Sequence, residues 1–195
     1  MIVYAGTSNL GKLREFKLGA PDFDIRAVEL PPPEEHGETF EETARQKALY
    51  YGAHLQDYVF ADDSGLEVDA LGGGPGVHSA RFAGPQANDA ANNALLLERM
   101  RGISNRTARF VCVIALVRSG KVERTFRGSV EGRIIDPSRG EKPRGANGFG
   151  YDPLFFHEPF GCTFGEAASE QKMRVSHRGQ ALEAMFTYLR GIAST

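Results

Sequence analysis

Near its start the chain reads Thr7-Ser8-Asn9-Leu10-Gly11-Lys12, small residues closing on a lysine. An apolar run, Ile2-Val3-Tyr4-Ala5, precedes them, and the amphipathic stretch from Lys12 to Leu18 follows. The order is strand, small-residue turn, helix start. At a helix N-terminus several backbone N–H groups lack intrahelical partners and the helix dipole adds partial positive charge. Small residues let a phosphate approach that backbone, and Lys12 supplies a full charge, so the pattern points to a phosphorylated ligand. The competing reading is that Ser8 or Asn9 only caps a surface helix. Gly6, Gly11 and Lys12 also match the opening of a P-loop, but Leu13 stands where that motif needs a hydroxyl for magnesium.

Carboxylates are the second source of chemistry. Asp62-Asp63-Ser64-Gly65 follows the apolar Tyr58-Val59-Phe60-Ala61. Carboxylates at the end of a parallel strand face the crevice where α/β proteins bind ligands. Neighbours on a strand point to opposite faces, so the two aspartates are expected to have different jobs, one ligating magnesium or activating water. An Asx turn into Ser64-Gly65 is the structural alternative. Glu42 sits in Thr39-Phe40-Glu41-Glu42, a capping box with Thr39 as N-cap and Glu42 reaching back, although a first-turn carboxylate can also hold a cation. Lys47 reads as a solvated surface charge and the connector Pro31-Pro32-Pro33-Glu34-Glu35 as an exposed loop.

Gly145 to Pro153 is glycine-rich around Phe149 and Tyr151, either of which could stack on a planar base or plug a core edge. Ser176 is a candidate N-cap for the last helix, placing His177 and Arg178 as donors beside it, with Lys172 upstream.

The elements that position these residues follow from periodicity. Strands are expected at Ile2–Ala5, Ile25–Val28, Tyr58–Ala61, Arg109–Arg118, Lys121–Ile135 and Leu154–Phe156, with Ser119-Gly120 as a tight hairpin turn. Helices are expected at Leu10–Leu18, Phe40–Leu55, Asn88–Met100 and His177–Ile192. In the last, Leu182, Met185, Leu189 and Ile192 form a core-facing stripe. Early alternation followed by a hairpin predicts an α/β fold: a mixed sheet, flanking helices, and two lobes around a central cleft within one domain spanning 1–195.

Composition narrows the function classes. A net charge of −2 leaves no general basic footprint for nucleic acid. The longest apolar run, Phe110 to Val117, is too short to cross a bilayer, and the N-terminus lacks a signal-peptide pattern. Cys112 and Cys162 show no C-x-x-C spacing, which fits a reduced, cytoplasmic protein. The five histidines are scattered, so any metal falls to carboxylates, favouring magnesium or manganese.

Taken together and in this order, five segments resemble the inosine triphosphate pyrophosphatase family of house-cleaning nucleotide hydrolases. They are Thr7 to Lys12; Phe40-x-Glu42-x-Ala44-x-x-Lys47-Ala48; Asp62-Asp63-Ser64-Gly65-Leu66 running on to Ser79-Ala80-Arg81; Gly148 to Pro153; and Ser176-His177-Arg178-Gly179. The resemblance spans nearly the whole chain. It implies a Mg2+-dependent hydrolase that cleaves ITP, dITP and XTP to monophosphate and pyrophosphate, and that forms a homodimer. Carried over, Thr7, Ser8, Asn9, Leu10, Gly11 and Lys12 grip the triphosphate. Glu42 and Asp63 hold the metal, with Asp63 also the candidate base. Ser64, Lys172, Phe149, Gly150, Tyr151 and Asp152 complete the pocket, and His177 and Arg178 read the base. Thr43, Met173 and Tyr151 depart from the commonest pattern, where asparagine, a polar residue and, in some relatives, tryptophan stand; none removes a charge. Two other readings compete: an NTPase releasing phosphate, and a non-catalytic sensor of modified nucleotides.

Overall fold

A computed structural model describes residues 1–193. Seven strands form one sheet in the order β2-β1-β3-β4-β5-β6-β7. They are β1 (Ile2–Ala5), β2 (Asp24–Ala27), β3 (Tyr58–Val68), β4 (Thr107–Arg118), β5 (Lys121–Ile134), β6 (Phe155–His157) and β7 (Cys162–Thr163). The sheet is mixed: β1 runs parallel to β2 and β3, whereas β6 is antiparallel to β5 and β7. Helices are α1 (Leu10–Gly19), α2 (Phe40–Gly52), α3 (Asp89–Arg99), α4 (Ser169–Val175) and α5 (His177–Ala193). Among the described residues no helix is long and apolar enough to cross a membrane.

The chain divides into two compact units. The first comprises 1–64, 112–129 and the segment from 173 onward. Its core joins Val3, Phe16, Phe60 and Ile114 to Leu182, Met185 and Leu189, the stripe expected on the last helix. Phe16 and Phe60 meet edge to face at 5.0 Å. The hairpin turn is as expected: Ser119 and Gly120 both take positive φ, 48° and 72°, which matches the twist of the strands they join. The second unit, 65–111 and 130–172, packs Phe110, Phe155 and Phe164 with ring centroids 4.6 and 5.0 Å apart.

The sequence reading needs correction in three places. β3 does not end at Ala61 but continues to Val68, so the paired aspartates lie in mid-strand rather than at its end. Leu66 and Val68 are fully buried, and the Leu66 N–H is bonded by Ser79 Oγ at 2.9 Å, which keeps the backbone extended. α2 stops at Gly52 rather than Leu55; a Cβ there would fall 2.9 Å from Val117 Cγ1, so the residue that allows close packing is also a poor helix former. α4, which carries Lys172, was not expected.

Candidate active site

On β3, Asp62 and Asp63 are adjacent, buried and opposite in character. Asp62 accepts from Lys12 Nζ at 2.9 Å and from Arg178 Nη2 at 3.3 Å, and Cys112 Sγ lies 3.8 Å from it. Burial alone would raise its pKa, but Lys12, Arg178 and Lys47 outweigh that and hold the carboxyl well below its usual range. For Asp63 burial wins. It pushes the pKa up to about 7, Lys47 and Lys12 offset only part of the rise, and Glu35 and Asp62 add to it. Asp63 Oδ1 is 3.9 Å from Lys47 Nζ, and its buried Oδ2 has no hydrogen-bond partner among the described residues. One carboxylate is locked ionised. Its neighbour can exchange a proton near neutral pH, the separation of states expected of acid–base chemistry.

Lys47 is not the solvated charge its sequence context implied. Its side chain is only 13% exposed, and Nζ donates to Glu35 Oε1 at 3.0 Å. Burial works against its charge, yet Asp62, Glu35 and Asp63 together raise its pKa. Glu35, read as part of an exposed loop, is therefore brought back against α2 as the partner of that lysine. Thr39 caps α2 as expected, accepting from the Glu42 N–H at 3.1 Å. The exposed Glu42 reaches one residue further back than a capping box requires, accepting from the Glu38 N–H at 2.9 Å.

At the start of α1 the cap is Asn9, whose Oδ1 accepts from the Lys12 N–H at 3.0 Å. Thr7 Oγ1 accepts from the Asn9 N–H at 3.1 Å, so the turn is held by its own side chains. Ser8 and Leu10 are exposed and Gly11 is half-buried. Lys12 leaves this turn to meet Asp62, and a residue 50 positions away thereby fixes the ammonium beside the helix start.

Arg178 is 2% exposed. Its guanidinium bonds Glu15, Asp62 and Ser64 Oγ, the last at 2.7 Å. Charge from Glu15 and Asp62 overcomes the effect of burial and raises its pKa. Rather than standing beside the N-cap as a projecting donor, it ties α1, β3 and α5 together. Ser176 does act as a cap, accepting from the Gly179 N–H at 3.1 Å. Gly128 lets β5 approach this helix start, since a Cβ there would sit 2.1 Å from the His177 carbonyl oxygen. His177 is itself buried.

In the second unit, the Gly148 to Pro153 loop is organised from within. Asp152 Oδ2 accepts from the Phe149 N–H at 2.9 Å and from Lys172 Nζ at 2.6 Å. The pair is buried, with side chains 3% and 5% exposed. Lys172 also lies 5.5 Å from the centre of the Phe149 ring, within cation–π range. Tyr151 takes the second of the two readings open to it: its ring is buried at a core edge, and its hydroxyl donates to the Ser79 carbonyl at 2.8 Å. Burial and the Asp89 charge raise its pKa accordingly. Tyr151→Phe should therefore cost about 1 kcal/mol in urea unfolding, the ordinary worth of one hydrogen bond, and leave substrate KM unchanged.

These groups, in this order along the chain, match a known family over almost their full span. The Ham1 family model covers residues 3–188. This chain belongs to the Ham1 family. A dITP/XTP pyrophosphatase of Exiguobacterium sp. is 47% identical over 191 residues, 95% of each chain. One from Geobacter sulfurreducens is 46% identical over 191 residues, 94% of each. Among solved structures, the Ham1 protein of Coxiella burnetii superposes with a TM-score of 0.86 at 36% identity, covering 98% of this chain and 99% of that one. The Ham1 protein of Staphylococcus aureus gives 0.84 at 37% identity, with the same coverage.

Beside the residues expected from sequence, the first unit of this Ham1-family chain brings in Glu35, Glu15 and Lys47, and the second Asp89 and Asn93. Asp89 Oδ2 accepts from the Gly150 N–H at 2.7 Å, and Asn93 Nδ2 donates to the Gly150 carbonyl at 3.1 Å. Their spacing of four on α3 puts both on one helix face, the only signal the sequence held for them. Nothing local named the loop they would meet.

Proposed function

We propose that this chain hydrolyses noncanonical purine nucleoside triphosphates, dITP and XTP foremost and ITP with them, to the monophosphate and pyrophosphate. The observation that carries this reading is the pair on β3: Asp62 kept ionised by Lys12 and Arg178, and Asp63 poised near neutrality beside Lys47. The names of two relatives, each a dITP/XTP pyrophosphatase, point to dITP and XTP. A protein that only sensed nucleotides would have no use for a buried acid whose raised pKa destabilises the ionised form.

Water attacks the α-phosphorus and its oxygen forms the new P–O bond. The bond to the α–β bridging oxygen breaks, and pyrophosphate departs with the electron pair. Asp63 takes the proton that the water loses. Lys12 and Lys47 place positive charge where negative charge builds on the phosphate oxygens, in surroundings from which water is largely excluded. Thr7 to Gly11 offer the small-residue approach to the α1 N-terminus.

A divalent ion fits these residues. Asp63 Oδ2 is a buried oxygen without a hydrogen-bond partner among the described residues, and a hard oxygen donor suits Mg2+. Among the described residues no group of three or more His, Cys, Asp or Glu side chains could hold a metal ion as a cage. Mg2+ asks for no such cage, because it is held by one or two carboxylates together with waters and substrate phosphates. Asp63 would hold it, with Glu42 as the second carboxylate that the resemblance supplies. When bound, the ion would neutralise charge on the phosphates.

Base selection follows from hydrogen-bond complementarity. Hypoxanthine and xanthine offer a 6-oxo acceptor where adenine offers a 6-amino donor. A buried donor, assigned by the resemblance to His177, pairs with the first and faces donor to donor with the second, whereas Arg178, which the resemblance also assigns to the base, is held by Glu15, Asp62 and Ser64. Each unpaired group costs about 1–3 kcal/mol, roughly 5–150-fold. The working form is proposed to be a cytoplasmic homodimer, which sedimentation of the purified protein would check.

The deciding experiment is product analysis with dITP in 18O-water. Expected are dIMP carrying the label and unlabelled pyrophosphate, with activity abolished by EDTA and restored by Mg2+. Orthophosphate with dIDP would indicate cleavage at the γ-phosphate and overturn the reading. Binding without turnover would leave the chain a sensor.

A further inference from the structure

On α2, Tyr51 stands four residues after Lys47, which puts both side chains on one helix face. Lys47 turns to Asp63, and Tyr51 packs against Gly6, the residue between β1 and the Thr7 to Lys12 turn. The fit is close. A Cβ on Gly6 would fall 2.2 Å from Tyr51 Cδ2 and 2.6 Å from Cγ, so the ring occupies the place of the missing side chain. The Gly6 N–H donates to the Phe60 carbonyl at 2.7 Å. Gly6 is thus fixed to β3 on one side and seated on the Tyr51 side chain on the other. Both residues are buried, and all of these groups lie within the first compact unit. Burial also raises the pKa of the Tyr51 hydroxyl, which the charge of Lys47 offsets only in part, so the phenol stays neutral.

We propose that Tyr51 is a positioning residue for phosphate binding: by filling the space beside Gly6 it sets where the Thr7 to Lys12 turn, and with it the α1 N-terminus, lies against β3. The role rests on the proposed function, in which that turn receives the triphosphate. Tyr51 acts through the Gly6 backbone, since a close-packed interior passes a displacement on rather than absorbing it. The turn meets dITP and pyrophosphate through the same groups. A displaced turn therefore weakens both alike, a loss of uniform binding that raises KM more than it lowers kcat. The glycine and the tyrosine form a matched pair, in which enlarging one requires shrinking the other.

The test measures KM and kcat for dITP together with the inhibition constant of inorganic pyrophosphate. Gly6→Ala and Tyr51→Ala should each raise KM and the pyrophosphate constant about tenfold, with kcat within about threefold of wild type. In Gly6→Ala/Tyr51→Ala the two Cβ atoms would stand 3.0 Å apart, a contact that a shift of a few tenths of an ångström relieves. Both constants should then return most of the way to wild type, the non-additivity expected of residues in contact. Tyr51→Phe keeps the ring and should recover most of the loss. Should Tyr51→Ala not fold, Tyr51→Leu keeps apolar bulk without the flat ring and should raise both constants in its stead. Additive losses in the double variant would overturn the role, as would unchanged constants in the single ones. So would a rise in KM with the pyrophosphate constant unchanged. A ring that served only stability would lower kcat through a smaller folded fraction at unchanged KM, and that result would also overturn it. Lys12→Met tests the underlying reading. If it raises the pyrophosphate constant while the Gly6 and Tyr51 variants do not, only the positioning role falls. If it leaves that constant unchanged, the turn is not the phosphate site and the inference falls with the reading.

Discussion

Replacing Asp63 with asparagine should cut kcat for dITP by about 10²–10⁴-fold, the usual contribution of a general base. Asparagine keeps the shape of the side chain but cannot take a proton from water. KM should change little, since Lys12 and the α1 turn still meet the phosphates. Raising Mg2+ to saturation should offset any weakened hold on the metal but should not rescue turnover, because proton acceptance is still missing. Wild type should show an acid limb: the base works deprotonated, and burial has moved its pKa up to about 7, so rate falls as pH drops through that value. A divalent ion beside the carboxylate favours ionisation, so the limb should move to lower pH as Mg2+ rises. The same shift has a stability consequence of opposite sign. A raised folded-state pKa means the native protein holds this proton more tightly than the unfolded chain does. That contribution is complete below pH ~3.8 and is lost as pH rises through about 7. Without metal, Asp63→Asn should therefore be at least as stable as wild type at pH 8, and urea unfolding with EDTA present will show it. Near-normal turnover in the variant would remove Asp63 from the mechanism.

Why that carboxylate behaves as it does could be read from the sequence only in part. Short-range signals were legible because their partners are close along the chain: Asn9 with Lys12, Thr39 with Glu42, the Ser119-Gly120 turn, the apolar stripe of α5. Adjacent aspartates on a strand had to face different surroundings, and they do. The surroundings themselves came from afar. Lys12 is 50 residues from Asp62, Arg178 is 163 from Glu15, and Gly150 is 61 from Asp89. A lysine at the fifth position after Glu42 looks solvated until Glu35 is folded against it. The same blindness left Tyr151 open between a base and a core edge. An aromatic in a glycine-rich loop carries no mark telling a stacking ring from one whose hydroxyl is needed by a buried carbonyl, here that of Ser79. Asp62-Asp63 was expected at the end of the strand, not within it, because aspartate is rare inside buried strands unless paired. The cations that pair Asp62 lie on other elements.

Arg178 carries the second large expectation. Replacing it with methionine keeps much of the volume but leaves Glu15 and Asp62 without the guanidinium that bonds both. Breaking a buried ion pair from one side costs about 3–5 kcal/mol, because the surviving charge stays buried. Lys12 still meets Asp62, so the loss should lie toward the lower end of that range in urea unfolding at pH 7. Charge loss can be told from packing loss by its pH dependence. In wild type the depressed pKa of Asp62 contributes stability that is present above the unfolded value, ~3.9, and lost as pH falls through the folded one. The variant lacks the part of that contribution that Arg178 supplies, so the stability gap should be full at pH 7 and narrow below about pH 4. A gap of constant size would assign the effect to packing alone. Arg178→Lys should fall between the two, since a single ammonium cannot span Glu15, Asp62 and Ser64 as the planar fork does. Activity should follow the same order. With Arg178 gone, Asp62 has Lys12 as its remaining close cation and draws that ammonium more firmly to itself. The charge that Lys12 can offer a phosphate is then reduced, so kcat/KM should fall even under conditions where the variant is fully folded.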